Sequence, residues 1–367
     1  MIVIRNCRLV KELTEGFDGA VGDVYIDNNR IAAITAPGSH PTEEKTLIEI
    51  DGDGRTLIPG LCEMHAHLYG FIYNPYELQC ATEGKIVFGA LDFAGEYLKQ
   101  GFTTIRDCGS SYNCAASVRD AIKAGIVKGP RIVSCGLIIT PTETGNDTFS
   151  DLYLEADGPE EMRKACRKEL QKGNDFIKLM VSGAFMNEGA DPGIQVLEPE
   201  EIEAAVSAAA RKGTYVCAHC HGTDSIKAAI TAGVRTVEHG TFIDDEGIEM
   251  LKNNENTFLT PTGAVGLYCL DESNPDVSAE LLELSREAAE IEIANINKAY
   301  HAGLKLGFGS DIDLVALRKH PGYEFIARKE YYTFDDLDIL LQATKNSAEI
   351  MGFGHFLGTI KVGKLAD

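Results

Sequence analysis

Six residues of this chain can each hold a metal ion or move a proton, and each lies at the end of, or inside, a short apolar run. His65 and His67 close the run Thr56-Leu57-Ile58-Pro59-Gly60-Leu61-Cys62-Glu63-Met64-His65-Ala66-His67. Lys178 lies between Ile177 and Leu179, and His219, His239 and Asp311 end three later runs. Side chains two apart on a strand point the same way, so the imidazoles of His65 and His67 converge on one point. Histidine is the commonest metal ligand. A lysine in an apolar strand is hard to explain as packing, because a buried unpaired charge is expensive. One such histidine would be read as a satisfied core residue. Four histidines, an aspartate and a lysine in equivalent positions point instead to a metal centre.

That reading requires elements that bring the six residues together. From residue 57 the pattern repeats as strand, loop, helix. Apolar strands are expected at 57–65, 102–107, 131–137, 175–181, 214–219, 235–239, 257–261 and 305–311. Helical periodicity covers 85–99, 115–124, 159–172, 199–212, 224–232, 245–253, 278–302 and 335–351. Several of these helices start at Asp, Ser or Pro, as helix N-termini do. Alternation of this kind implies a parallel sheet. Eight units predict an α/β fold with a closed (β/α)8 TIM-like barrel over 57–351, whose C-terminal strand ends form one active-site mouth. Residues 1–56 read as short strands and turns, with a hairpin around Asp27-Asn28-Asn29-Arg30. Too few for a large core, they are expected to join 352–367 in a small β-sandwich domain.

Composition narrows the function. The 367 residues are 44% hydrophobic and 25% charged, as in a globular enzyme. The formal net charge of −22 argues against nucleic-acid and anionic-membrane partners. No apolar stretch approaches the ~20 residues of a membrane span, and the N-terminus lacks a signal-peptide core. The 10 cysteines show no paired framework and are expected to be reduced, buried and cytoplasmic. Cys217-Ala218-His219-Cys220 lacks the second cysteine pair that a thiolate zinc site needs.

Over nearly its whole length the chain resembles the amidohydrolase superfamily, in its imidazolonepropionase-like and prolidase-like branch. The resemblance is carried by Pro59-Gly60-Leu61-Cys62-Glu63-Met64-His65-Ala66-His67-Leu68, Gly101–Asp107, Ile177–Gly183, Ala218-His219-Cys220-His221-Gly222, Val237-Glu238-His239-Gly240, Gly309-Ser310-Asp311 and the C-terminal 358–367. That last segment usually leads into a further strand, so the C-terminal β portion looks short. The resemblance implies a binuclear site. His65, His67 and Asp311 would hold the more buried ion and His219 and His239 the other. Lys178, N-carboxylated by carbon dioxide, would bridge both. Zinc is the expected ion, given imidazole and carboxylate donors. A metal-bridging hydroxide would attack the carbonyl, and Asp311 would pass its proton to the leaving nitrogen. Prolidase-like members often carry His-Gly-Asp after strand three. Here the loop reads Thr140-Pro141-Thr142-Glu143-Thr144-Gly145-Asn146-Asp147. His221, in step with His219, is a candidate catalytic substitute, or a support for His219. Arg106 is read as a structural ion-pair partner.

The resemblance thus implies a metal-dependent hydrolase that cleaves an amide or peptide C–N bond of a small substrate, a dipeptide or N-acyl amino acid. The alternatives are a ring-opening hydrolase or deaminase of the imidazolonepropionase type, and an inactive barrel used for assembly. Lys178 disfavours the first of these and the complete ligand set the second. The expected partners are a small-molecule substrate and further copies of the chain. Acidic residues after strand three (Glu143, Asp147, Asp151, Glu155, Asp157) and after strand four (Glu188, Asp191) suggest either general surface acidity or a mouth that favours cationic substrates.

Overall fold

The computed structural model describes residues 1–39, 48–70, 75–149, 151–187, 189–272, 274 and 277–367. They divide into two compact units, Met1–Cys62 with Leu340–Asp367, and Glu63–Ile339. Residues 57–62 and 340–351, assigned to the barrel on sequence, fall in the first unit. Glu188 lies outside the described residues.

In the first unit, β1 (Ile2–Leu9), β2 (Val21–Asp27), β3 (Arg30–Thr35), β4 (Ile48–Asp51) and β5 (Thr56–Leu57) form one sheet, ordered β3-β2-β1-β4 with β5 also paired to β1. β2 and β3 are the expected hairpin, and Asn28 takes the positive φ (53°) that its turn needs. Cys7, Leu9, Val24 and Ile31 pack with Ile360 from the far end of the chain. The C-terminal segment adds only isolated bridges, Thr14 to Ile360 and Arg30 to Leu365. The described residues therefore give this unit one sheet, not the two that the expected sandwich needs.

The second unit is α/β with parallel sheets. β6 (Leu61–Ala66), β7 (Phe102–Asp107) and β8 (Arg131–Ser134) form one sheet. β9 (Ile138–Thr140), β10 (Tyr153–Glu155), β11 (Ile177–Met180), β12 (Val216–Cys220), β13 (Thr236–His239) and β14 (Phe258–Thr260) form another, ordered β10-β9-β11-β12-β13-β14 and parallel throughout. Its register aligns Lys178 with Cys217 and Thr236, and Met180 with His219 and Glu238. Partnered residues share a face, so Lys178, His219 and Glu238 project together.

Two expected features differ. Residues 131–137 and the loop after them become three short strands, β8, β9 and β10. Residues 305–311 form no strand. Leu306 makes one bridge to Leu259, and single bonds follow: Gly307 N to Leu259 O (2.9 Å), Met64 N to Phe308 O (2.8 Å) and Asp311 N to His65 O (2.9 Å). Close approach is the reason. A Cβ on Gly307 would stand 2.7 Å from Thr260 Oγ1, and one on Gly309 2.7 Å from His65 Cβ.

The expected helices appear with ends moved by one or two residues. Asp244 and Ser278 cap theirs by accepting from Gly247 N and Leu281 N. The exception is 335–351, which splits into Asp336–Leu341, a π turn at Gln342–Asn346 and Ser347–Ile350. There Thr344 and Ser347 hydroxyls donate to the Leu340 and Gln342 carbonyls, a competition that disturbs helices. Helices Pro75–Cys80, Gly263–Cys269, Leu314–Lys319 and Tyr323–Glu330 were not expected. Among the described residues, no helix is long and apolar enough to cross a membrane, and all 10 cysteines are free.

Candidate metal centre

All seven residues singled out on sequence line one cavity of about 190 Å³ in the second unit: His65, His67, Lys178, His219, His221, His239 and Asp311. Their donor atoms form two sets. His65, His67 and Asp311 offer atoms within 4.8 Å of one another, and so do His219, His221 and His239. His67 Nε2 lies 3.4 Å and His65 Nε2 3.8 Å from Asp311 Oδ1. The His65 and His239 rings stand 4.7 Å apart and bring the sets together. Lys178 is 1% exposed, and its Nζ lies 3.4 Å from His65 Nε2. Among the described residues it makes no ion pair.

Hydrogen bonds fix which nitrogen of each ring keeps a lone pair. Glu238 pairs with Arg106 and can only accept, so His65 Nδ1 donates to its Oε2 at 2.8 Å and Nε2 is left bare. His67 Nδ1 donates to Gly109 O (2.7 Å), which also frees Nε2. His219 is reversed: Nε2 donates to Gly183 O (3.1 Å) and Nδ1 keeps the lone pair. His239 Nδ1 meets Thr262 Oγ1 at 2.8 Å, and its Nε2 is buried without a hydrogen-bond partner. An orphaned buried nitrogen costs about 1–3 kcal/mol unless something binds it. Outer partners that orient imidazoles in this way are the usual surroundings of a metal site.

Charge and burial agree. Burial, and next the Lys178 charge, hold His67 and His221 down to about 3. His65, His219 and His239 also fall well below the ordinary value, with burial first among the causes. All five rings are thus neutral, the form that coordinates a cation. Burial raises Asp311 to about 7, with Lys178 opposing. Asp311 (φ 54°) and His239 (φ 66°) both hold left-handed backbone, the local strain that collects at functional sites. The donor chemistry fits a metal ion, and the site is a candidate metal centre.

Sequence reasoning missed the groups behind the ligands. Glu238 joins His65 to Arg106, whose Nη2 donates to Glu238 Oε1 at 2.6 Å. Arg106 also donates to Met64 O (2.6 Å) and Thr236 Oγ1 (2.9 Å) and is fully buried, as a structural ion-pair partner should be. Glu63 Oε1 accepts from His65 N (2.8 Å) and Ser310 N (3.0 Å), which ties β6 to the segment carrying Asp311. The aromatic lining was also unforeseen. Tyr69, Phe149, Tyr153, Phe185, Tyr268 and Tyr332 wall the cavity. Among the described residues, the acidic side chains of the loops after strands three and four are not part of this wall. Asp157 accepts from Thr142 N and Oγ1, Glu155 from Asn146, and Asp191 from Gly193 N.

The amidohydrolase family pattern matches residues 56–367. The chain belongs to the amidohydrolase family. This amidohydrolase is 30% identical over 281 residues to the ochratoxinase of Aspergillus niger, covering 70% of this chain but 58% of that protein. It is 21% identical to the imidazolonepropionase of Thermoplasma volcanium, covering 94% of this chain and 82% of that one. Among solved structures, a Xaa-Pro dipeptidase with bound methionine superposes with TM-score 0.87 at 27% identity, covering 100% of this chain and 92% of the other. The family and these neighbours imply a TIM-like barrel.

Proposed function

We propose that this amidohydrolase is a metal-dependent hydrolase that cleaves the amide C–N bond of a small substrate with an apolar or aromatic part, such as a dipeptide or N-acyl amino acid. One observation carries the reading: two donor sets flank a buried lysine at an aromatic-walled cavity. The Xaa-Pro dipeptidase and ochratoxinase names of the neighbours support it. The wall is inferred to be a closed (β/α)8 barrel. Bonds that continue beyond the two sheets support closure: Asp175 N to Ser134 O, Gly307 N to Leu259 O and Met64 N to Phe308 O.

His65, His67 and Asp311 would hold one ion, and His219 and His239 the other. Lys178, as its carbamate, would serve both. An ammonium cannot ligate a cation, whereas a carbamate has two oxygen donors. When bound, two divalent ions, zinc by donor type, supply a strong nucleophile at neutral pH and polarise the carbonyl. Asp311 would take a proton from the attacking water and hand it to the leaving nitrogen. The aromatic walls exclude water and bind the apolar part of the substrate. Ring opening of a cyclic amide, as the imidazolonepropionase similarity suggests, is the second reading.

The test is a panel of acyl dipeptides, N-acyl amino acids and cyclic amides offered to zinc-loaded protein. Turnover of linear amides with apolar or aromatic acyl groups is expected. Turnover confined to cyclic amides or amidines would move the assignment to the second reading.

A further inference from the structure

His221 belongs to no expected metal-ligand set, and the groups behind it decide what it can do. Its Nδ1 lies 2.8 Å from Thr241 Oγ1. Thr241 Oγ1 in turn lies 3.4 Å from Glu292 Oε2, and Tyr332 Oη donates to Glu292 Oε1 at 2.5 Å. Glu292 comes from the helix Ala279–His301 and lines the cavity. A hydroxyl has one proton, and a carboxylate can only accept. If Thr241 gives its proton to Glu292, it can only accept from His221. The His221 Nδ1 must then carry hydrogen, and its Nε2 carries a lone pair.

The ring is also locked in place. It stacks on His239 at 4.7 Å with a 23° interplanar angle and meets Phe185 edge-on at 4.8 Å. Its backbone N–H donates to Ser182 Oγ at 3.0 Å. The metal-capable atoms of His219, His221 and His239 lie within 4.8 Å of one another.

We infer that Glu292, acting through Thr241, is a positioning residue that fixes His221 as the Nδ1–H tautomer, so that His221 offers Nε2 as a third nitrogen donor beside His219 and His239. This excludes the role suggested by the missing loop histidine, since a ring that polarises a carbonyl must present N–H to it. The inference rests on the metal-centre reading, but its first test needs neither metal nor substrate.

That test is the ring-nitrogen NMR spectrum of metal-free protein with 15N-labelled histidine at pH 8, with His221 assigned by its loss in His221→Gln. Wild type should show a protonated Nδ1 and a pyridine-type Nε2. Thr241→Val should mix the tautomers, and Thr241→Ser should restore the wild-type pattern. Zinc titration against a chelator gives the second reading: Thr241→Val should weaken binding at the His219 and His239 site about tenfold, the ordinary cost of losing an outer partner, and Thr241→Ser should not. A wild-type His221 protonated at Nε2 overturns the inference without any variant. So does a Thr241→Val protein that keeps both the tautomer and the zinc affinity. Failure to hydrolyse amides would strike the proposed reaction and leave this assignment standing.

Discussion

The two halves of the candidate metal centre are built from the same side chain and held by different chemistry. On the β6 side, His65 is oriented by Glu238, which is locked by Arg106, and Asp311 carries the remaining charge. On the β12 and β13 side, His219, His221 and His239 are oriented by a carbonyl and two hydroxyls. The first half depends on a fully buried ion pair, in which losing either partner leaves an unpaired charge. The second depends on neutral hydrogen bonds, each of which contributes about 1 kcal/mol. The centre should therefore be brittle on one side and tolerant on the other.

The largest effect is expected at Asp311, where charge and proton transfer meet. Asp311→Asn should retain substantial metal and lose about 10²–10⁴-fold in turnover, since an amide cannot shuttle a proton. Steady-state kinetics on metal-quantified protein would measure this, and near-normal turnover would assign the proton to another group.

Arg106→Leu comes next. It strands Glu238 in the interior and should cost about 3–5 kcal/mol of stability in denaturant unfolding. The double variant Arg106→Leu/Glu238→Leu should recover part of that loss. If the double variant is no more stable than the single, the pair is not the support described.

The smallest effects separate the halves most cleanly. Glu238→Gln should weaken zinc binding about 10–100-fold by loosening His65. Thr262→Val, its counterpart behind His239, should cost only about 1 kcal/mol in binding or stability. Chelator competition would rank them, and equal effects would erase the distinction.

Much of this centre was legible in the sequence because barrel-type strands place functional groups at their ends and side chains alternate along them. His65 with His67, Lys178 and His219 follow from those two rules. Glu238 does not. Strict alternation would let only one of Glu238 and His239 face the centre. The left-handed backbone at His239 turns the chain there, so both reach it. Thr241, Thr262 and Glu292 carry no signal of their own, because a hydroxyl or carboxylate behind an imidazole is defined by three-dimensional register alone. The eighth segment was misjudged as a strand because its apolar pattern is strand-like. Its glycines serve close approach to His65 and Thr260 rather than a ladder of hydrogen bonds.

The most direct test is metal content. Protein purified with added zinc and bicarbonate, then freed of loosely bound ions, should contain about two equivalents of zinc per chain by elemental analysis, the number a two-metal centre requires. It should lose amide hydrolysis on chelation and regain it on reloading. A content near zero under those conditions, with hydrolysis intact, would contradict the metal centre on which both halves are built.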